Sequence, residues 1–344
     1  ILHAPGSLDP DSCQTWAYGY QNVFLSEYFM FTGDTSVTNG IREFSIKSAR
    51  ATDLYGMICH TGCENHHDGT YNGASTGYGP MHSSTLPVNM GIVLAKKCGI
   101  AAPELDPAIV RYNNFLNYHV DKGLQNYGEH DTYPSDHSSN GRGAMGAMYS
   151  MLQGNQPAAT EYFTRMEVGN YNGRGLGHTG CGFGYMWGGL APNIGGTNAI
   201  ASYLAQIYWQ LDLARRYDGS FSYDGTEQFG GCPGITDYWQ PSQYTYGSLD
   251  PTACHVLNFS VPSRRLYITG KNPNPTNTLS AAVVSNAIWA GMYSRSCYAY
   301  TTNQLLAHFS DWDPCVRVWA ANTLAKRPGS NDLVNLLVGM TSSN

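Results

Sequence analysis

The stretch that decides the fold is TNAIASYLAQIYWQLDLARRYDG, residues 197–219. Its apolar side chains recur three or four positions apart, at Ile200, Tyr203, Leu204, Ile207, Tyr208 and Leu211. This spacing places them on one face of an α-helix. Thr197 is expected to cap the start of the helix, and Asp218-Gly219 is expected to end it.

The same helical spacing recurs along the chain in pairs of segments joined by short turns. The predicted pairs are 15–31 with 35–50, 84–98 with 107–122, 140–153 with 157–167, 279–293 with 298–309, and 313–326 with 330–341. Long loops rich in Gly, Tyr and Asn lie between pairs, at 53–82, 123–139, 168–196 and 218–249. Because strand patterns are scarce, we expect an all-α chain that forms a single domain over residues 1–344. Stacked helix pairs form either an open solenoid or a closed ring.

Composition excludes several classes of partner. The chain has 19 Lys and Arg against 25 Asp and Glu, and only 13% of its residues are charged. No basic patch is evident, so nucleic acid is not an expected partner. No run of 18 apolar residues occurs, so no membrane span is expected. Low charge, 25 Tyr and nine Cys favour an extracellular or periplasmic location.

The cysteine count and the first residues carry two further expectations. Nine is an odd number, so at least one thiol is free or forms an intermolecular disulfide. The chain starts Ile1-Leu2-His3, without an initiator Met or a signal peptide, and is therefore interpreted as a mature or excised segment.

Two short motifs share the pattern Asp-Gly-Ser/Thr-aromatic. They are Asp68-Gly69-Thr70-Tyr71 and Asp218-Gly219-Ser220-Phe221. At a helix end this pattern resembles the Q-x-x-D-G-x-W turns of the (α/α) toroid proteins, the terpenoid cyclase and protein prenyltransferase superfamily. The resemblance implies a toroid of helical hairpins with the long loops at one mouth, in which the aromatic residue wedges between hairpins. The prenyltransferase zinc ligands, an Asp and a Cys on one segment with a distant His, are not recognised here.

Longer segments between residues 17 and 290 resemble a family of uncharacterised bacterial domains of unknown function, predicted to be secreted toroids. Among the segments that carry this resemblance are Gly19-Tyr20-Gln21, Tyr127-Gly128-Glu129-His130, Gly177-His178-Thr179-Gly180, 216–225 and 265–272. The resemblance implies a toroid fold and an extracytoplasmic setting, and it implies no reaction.

Most histidines and many carboxylates fall in the long loops, which in a toroid would meet at one mouth of a central cavity. The candidate catalytic residues are His130, His137, His178, Tyr185 and Asp224; the candidate substrate-binding residues are Tyr78, His82, Trp187 and Tyr223. A His or Tyr would act as acid or base with Asp224 as its carboxylate partner, and aromatic rings would stack on sugars. This pattern favours binding or cleavage of a glycan. A lyase would also need a group that neutralises a uronate.

Three alternatives remain open at this stage. The aromatic residues could instead pack hairpins together while the carboxylates cap helices. Cys59, His60, Cys63, His66 and His67 offer five potential zinc ligands in nine residues, or a Cys59–Cys63 disulfide beside exposed histidines. The odd cysteine count and the Tyr-rich surface also fit a non-catalytic structural subunit or module of an extracellular assembly, with self-association.

Overall fold

The computed structural model describes residues 14–75, 79–125, 132–135, 137–138, 141–171, 173–174, 181–221 and 251–327. Within these ranges the chain is mainly α-helical and carries one small two-stranded sheet. The predicted all-α class is therefore confirmed.

The helices and strands are numbered here in chain order. The helices are α1 (Gln14–Thr32), α2 (Thr38–Ala51), α3 (His82–Lys97), α4 (Leu105–Tyr118), α5 (Arg142–Gln153), α6 (Pro157–Gly169), α7 (Cys181–Gly188), α8 (Leu190–Ile194), α9 (Thr197–Ala214), α10 (Pro251–Ser260), α11 (Ala281–Ser296), α12 (Thr302–Ala307) and α13 (Pro314–Ala325). The strands β1 (Leu124–Gln125) and β2 (Thr132–Tyr133) pair antiparallel, with Leu124 opposite Tyr133.

The helix predicted over 197–217 forms as α9, with small differences at its edges. Ile200, Tyr203, Ile207 and Leu211 are buried as predicted, whereas Tyr208 is exposed. The N-cap position belongs to Gly196, whose φ of 89° suits glycine, so the prediction that Thr197 caps the helix is wrong.

The prediction of one long loop over 168–196 is also wrong, because α7 and α8 lie within it. This segment is rich in glycine, which disfavours helix in isolation. Tyr185, Trp187, Leu190 and Ala191 are nevertheless buried in the main hydrophobic core. Tertiary packing therefore stabilises these two short helices, as it does most helices in proteins.

α3 lies at the centre of the N-terminal half. Every residue from His82 to Ala95 is buried, and the helix packs against α1, α2, α4 and α5. Gly19 of α1 lets the two backbones approach closely, because a Cβ there would lie 2.8 Å from the Val88 nitrogen. α5 in turn packs on α6, which packs on α8 and α11.

The first helix also contacts a late segment of the chain. The buried Glu27 carboxylate accepts hydrogen bonds from the backbone N–H groups of Tyr267, at 3.0 Å, and Ile268, at 2.7 Å. Burial raises the pKa of Glu27, and these two N–H groups act in the opposite direction. The contact holds together residues that are about 240 positions apart.

The two Asp-Gly-Ser/Thr-aromatic motifs fold into the same turn. In each, the Asp carboxylate accepts from the N–H two residues later at 2.9 Å, in Thr70 and Ser220. The central glycines have φ values of 83° and 84°. The aromatic residues differ, because Phe221 is 7% exposed and Tyr71 is 47% exposed. The Phe221 ring packs against His255 with centroids 4.9 Å apart, so this copy carries a buried aromatic residue, and its role as a wedge between hairpins stays a prediction.

This difference predicts unequal effects of truncating the two aromatic residues. Phe221→Ala is expected to lower the free energy of unfolding by about 3 kcal/mol, because it empties a buried site. Tyr71→Ala serves as the matched control, and its loss should be about 1 kcal/mol or less, since Tyr71 contributes mainly an exposed cation–π contact with Arg50. Urea unfolding of both variants checks the prediction. Equal losses would show that Phe221 is not a wedge.

Two absences apply to the part of the chain that the structure describes. None of its helices combines the length and apolarity needed to cross a membrane. No disulfide joins two of its cysteines, and Cys63, Cys98 and Cys297 are free thiols. The alternative of a Cys59–Cys63 disulfide is therefore not formed.

Candidate functional site

The predicted site residues fall into two groups. Five of them lie outside the described residues, namely Tyr78, His130, His178, Tyr223 and Asp224. Of the others, His82 is the first residue of α3 and is fully buried, with its Nε2 atom 3.0 Å from the Ser83 hydroxyl. His82 therefore belongs to the buried packing of α3.

Tyr185 and Trp187 lie on α7 and face different neighbours. The Tyr185 hydroxyl donates to the side-chain oxygen of Gln210, and its ring meets His255 edge-on at 5.9 Å. The Trp187 ring centroid lies 5.9 Å from that of Tyr20 in α1. Both side chains are buried. The structure therefore supports the packing role that was the alternative for these residues, and their sugar-binding and catalytic roles stay predictions.

The five potential zinc ligands between residues 59 and 67 are spread apart. The Cys63 thiol donates to the Thr52 carbonyl at 2.8 Å, and Nδ1 of His60 accepts from the Trp16 indole at 3.0 Å. His66 and His67 are exposed. Counting described residues only, no three donor atoms of this segment lie within 4.8 Å of one another. A zinc site here remains a prediction that no contact of the described residues supports.

A cluster of buried polar side chains that sequence reasoning missed lies between α6, α7 and α9. We call Glu167, Arg174 and Tyr203 the Arg174 cluster; all three are almost completely buried. The Arg174 guanidinium carbon lies 4.3 Å from the centroid of the Tyr203 ring. A Cβ atom on Gly188 would collide with the Tyr203 hydroxyl and lie 3.1 Å from a Glu167 carboxylate oxygen. The glycine therefore leaves the space that these two groups face.

The polar atoms of this cluster lack hydrogen bonds within the described residues. All three guanidinium nitrogens of Arg174, both carboxylate oxygens of Glu167 and the Tyr203 hydroxyl have no partner there. Buried unpaired polar groups are rare in folded proteins and costly, and each calls for an explanation such as a bound water or ligand.

The electrostatics give this cluster a positive charge at neutral pH. Burial raises the pKa of Glu167 to about 8, although Ser138, Arg174, Asn170 and the Ala144 amide act to lower it. Those groups lie near the carboxyl group without reaching hydrogen-bonding geometry. Arginine side chains carry a positive charge in proteins. With Glu167 neutral, no described residue supplies the Arg174 guanidinium with a hydrogen-bonded anionic partner, and an anionic group would stabilise it.

The sequence held one signal for this cluster. Arg174 is the only charged residue between Glu167 and Asp212, within a run of neutral and apolar residues. An isolated arginine in such a segment indicates a specific partner, because arginine is almost never fully buried unless paired. Glu167 gave no signal, since it ends a predicted amphipathic helix where carboxylates are common.

His137, one of the predicted catalytic histidines, joins a second cluster. Its Nε2 atom lies 2.7 Å from a carboxylate oxygen of Asp313, and Cys315 completes the group. Donor atoms of these three residues lie within 4.8 Å of one another. An Asp and a Cys on one segment thus meet a distant His, the ligand pattern that sequence reasoning did not recognise here.

Asp313 has two roles in this second cluster. It caps a helix, because its Oδ1 atom accepts the Cys315 N–H at 2.8 Å at the start of α13. Its Oδ2 atom faces His137. Burial acts to raise the pKa of Asp313, but His137 outweighs it and the pKa is lowered. Burial likewise acts to lower the pKa of His137, and Asp313 keeps it well above its usual value.

The fold and these clusters define an all-α protein with two clusters of buried polar side chains. Comparison with protein families assigns it more closely. A family model described as a domain of unknown function (DUF6288) matches residues 4–270, so the chain belongs to this family. No curated protein and no solved structure matches it significantly.

Proposed function

We propose that the protein binds and cleaves an acidic glycan, with the Arg174 cluster as the site that recognises the acidic sugar. The observation that carries this proposal is the buried Arg174 side chain, none of whose nitrogens has a hydrogen-bond partner within the described residues. A uronate carboxylate fits it, because guanidinium and carboxylate form paired, charge-assisted hydrogen bonds. The Trp187 and Tyr20 rings pack on each other with centroids 5.9 Å apart, and an aromatic pair of this kind can also contact a sugar.

Cleavage by β-elimination uses the same three residues. With Arg174 neutralising the uronate carboxylate, the proton on C5 becomes more acidic, and Glu167 removes it in the minor fraction of molecules whose Glu167 carboxyl group is ionised near neutral pH. The electron pair forms the C4=C5 double bond, the bond from C4 to the glycosidic oxygen breaks, and the Tyr203 hydroxyl protonates that oxygen. A carboxyl group with a pKa of about 8 is suited to proton transfer near neutral pH.

The proposal keeps the architecture and setting inferred from the sequence. It treats the chain as one (α/α) toroid over residues 1–344 that is extracellular or periplasmic. The contact of Glu27 with residues 267 and 268 supports a closed arrangement, because it holds the first helix against a late segment. The 13% charged residues support the location.

Incubation with polysaccharides tests the proposed function. The wild-type protein is expected to bind polyuronates such as pectate, alginate or hyaluronan, to release unsaturated uronate, and to ignore neutral glucans and xylans. Arg174→Met should abolish both activities, and Glu167→Gln should abolish cleavage while retaining binding. Arg165→Met is the matched control, since Arg165 lies on α6 over the Trp312 ring. Uronate binding that survives Arg174→Met, or no uronate binding at all, would refute the proposal.

The second candidate function, a non-catalytic subunit of an extracellular assembly, is favoured by one surface. Tyr208, Trp209, Leu213 and Tyr217, on α9 and just after it, are 59%, 56%, 75% and 103% exposed. Contiguous exposed apolar side chains mark interaction surfaces. Sedimentation velocity of the wild type and of Trp209→Ser with Leu213→Ser tests it: self-association that the double variant removes supports an assembly role, and a monomer at all concentrations opposes self-association through this face.

A further inference from the structure

A second site with metal-binding geometry lies at the start of α13, apart from the Arg174 cluster. We propose that His137, Asp313 and Cys315 bind one zinc ion. The three residues offer an imidazole nitrogen, a carboxylate oxygen and a thiolate sulfur, the donor types that zinc takes in proteins. Their donor atoms lie within 4.8 Å of one another, so small side-chain adjustments bring all three to one ion. The inference does not depend on the proposed glycan activity.

The arrangement fits a metal better than a cysteine nucleophile assisted by histidine. In a nucleophilic relay the imidazole stands between thiol and carboxylate, which contact opposite edges of the ring. Here the carboxylate and the thiol come from residues 313 and 315 of one turn and both approach His137. Three donors that converge on one point describe a coordination site.

A hydrogen bond to Asp313 and the helix dipole at Cys315 favour metal binding by these two residues. The Cys315 N–H holds Oδ1 of Asp313, which leaves Oδ2 directed at the site. Such a hydrogen bond to a ligating carboxylate is a usual feature of metal sites. Cys315 lies in the first turn of α13, where the helix dipole stabilises a thiolate.

Charge balance supports an ion of charge +2. Asp313 and Cys315 are buried to about 1% exposure or less, and only His137 is partly accessible. Zinc with one carboxylate, one thiolate and a neutral imidazole forms a neutral unit, which burial tolerates. Three protein ligands leave the fourth tetrahedral position for water or another donor. The ion would join residues that are 176 positions apart in sequence, at residues 137 and 313.

The test measures metal content and a spectroscopic signature of the untagged 344-residue chain. Wild-type protein is expected to retain about one zinc per chain after dialysis, and its cobalt-substituted form should show thiolate-to-cobalt charge-transfer absorption. Cys315→Ser should remove this band and weaken zinc binding at least about tenfold, and His137→Gln should weaken it similarly.

Two other cysteine variants complete the experiment. Cys297→Ser removes another buried thiol, one that lies against Thr323, and should keep both zinc and the band. Cys63→Ser should keep them too, which separates this site from the 59–67 segment. Zinc lost with Cys63→Ser but kept with Cys315→Ser would overturn the inference, as would a wild-type chain that binds no zinc or cobalt. If Cys315→Ser fails to fold, the wild-type band together with its retention in Cys63→Ser and its loss in His137→Gln decides the question.

Discussion

Replacing Gly291 with alanine is expected to destabilise the protein by at least about 3 kcal/mol, because it forces apart two helices whose backbones touch. A Cβ atom on Gly291, in α11, would overlap the carbonyl oxygen of Gly169 at the end of α6. The converse also holds, since a Cβ on Gly169 would lie 2.6 Å from the Ala287 oxygen. Both obstacles are backbone atoms, which cannot rotate away as a side chain can.

Urea unfolding followed by circular dichroism measures this effect. Such a loss is a large part of the 5–15 kcal/mol that typically stabilises a folded domain, so a low yield of folded Gly291→Ala protein is also expected. Met292→Ala, the next residue along and 40% exposed, is the control and should change stability by about 1 kcal/mol or less. A Gly291→Ala variant as stable as this control would contradict the close approach of α6 and α11.

The second large effect is the pH dependence of stability that Glu167 confers. Its pKa is about 8 in the folded protein and near 4.5 when exposed, so between these values the folded state holds a proton that the unfolded state has lost. Stability therefore falls as pH rises from about 4.5 to 8 and stays low above that range. At 1.36 kcal/mol per pH unit the full effect is on the order of 5 kcal/mol.

Glu167→Gln removes this dependence without changing the shape of the side chain. The variant is expected to match the wild type near pH 4.5 and to exceed its stability at pH 8.5 by several kcal/mol. Thermal or urea unfolding across this pH range provides the comparison. Glu161→Gln, on the exposed side of the same helix, is the matched control and should track the wild type at every pH. A constant offset between Glu167→Gln and wild type would show that Glu167 is ionised in the folded protein.

Much of the helical framework can be predicted from the sequence because residues at the helix ends signal where a helix begins. The predicted segment 313–326 forms as Pro314–Ala325, since an Asp followed by Pro defines the start of a helix almost alone. The predicted segment 157–167 forms as Pro157–Gly169, again because a proline occupies the first turn. Where local signals are absent, as in the glycine-rich α7, only burial in the finished core stabilises the helix.

The candidate sites were harder to predict because their residues meet only in space. His137 and Asp313 are 176 positions apart, and no periodicity links them. An Asp followed by Pro indicates a cap at Asp313, but one carboxylate oxygen suffices for that role, and the sequence does not show that the other faces His137. Glu167 and Arg174 are close in sequence, yet their burial depends on α9, which supplies Tyr203. Sequence supplies the chemistry of such groups, and tertiary packing decides which of them share an environment.

The most direct test of the central claim, that Arg174 recognises an anionic sugar, is calorimetric titration with two matched oligosaccharides. One is an oligouronate of the type that the wild type cleaves, titrated into Glu167→Gln to prevent turnover, and the other is the same chain with its carboxylates reduced to alcohols. The acidic form is expected to bind, the reduced form is expected to bind at least about tenfold more weakly, and Glu167→Gln combined with Arg174→Met should bind the two forms equally. Equal affinity of Glu167→Gln for both forms would contradict the claim.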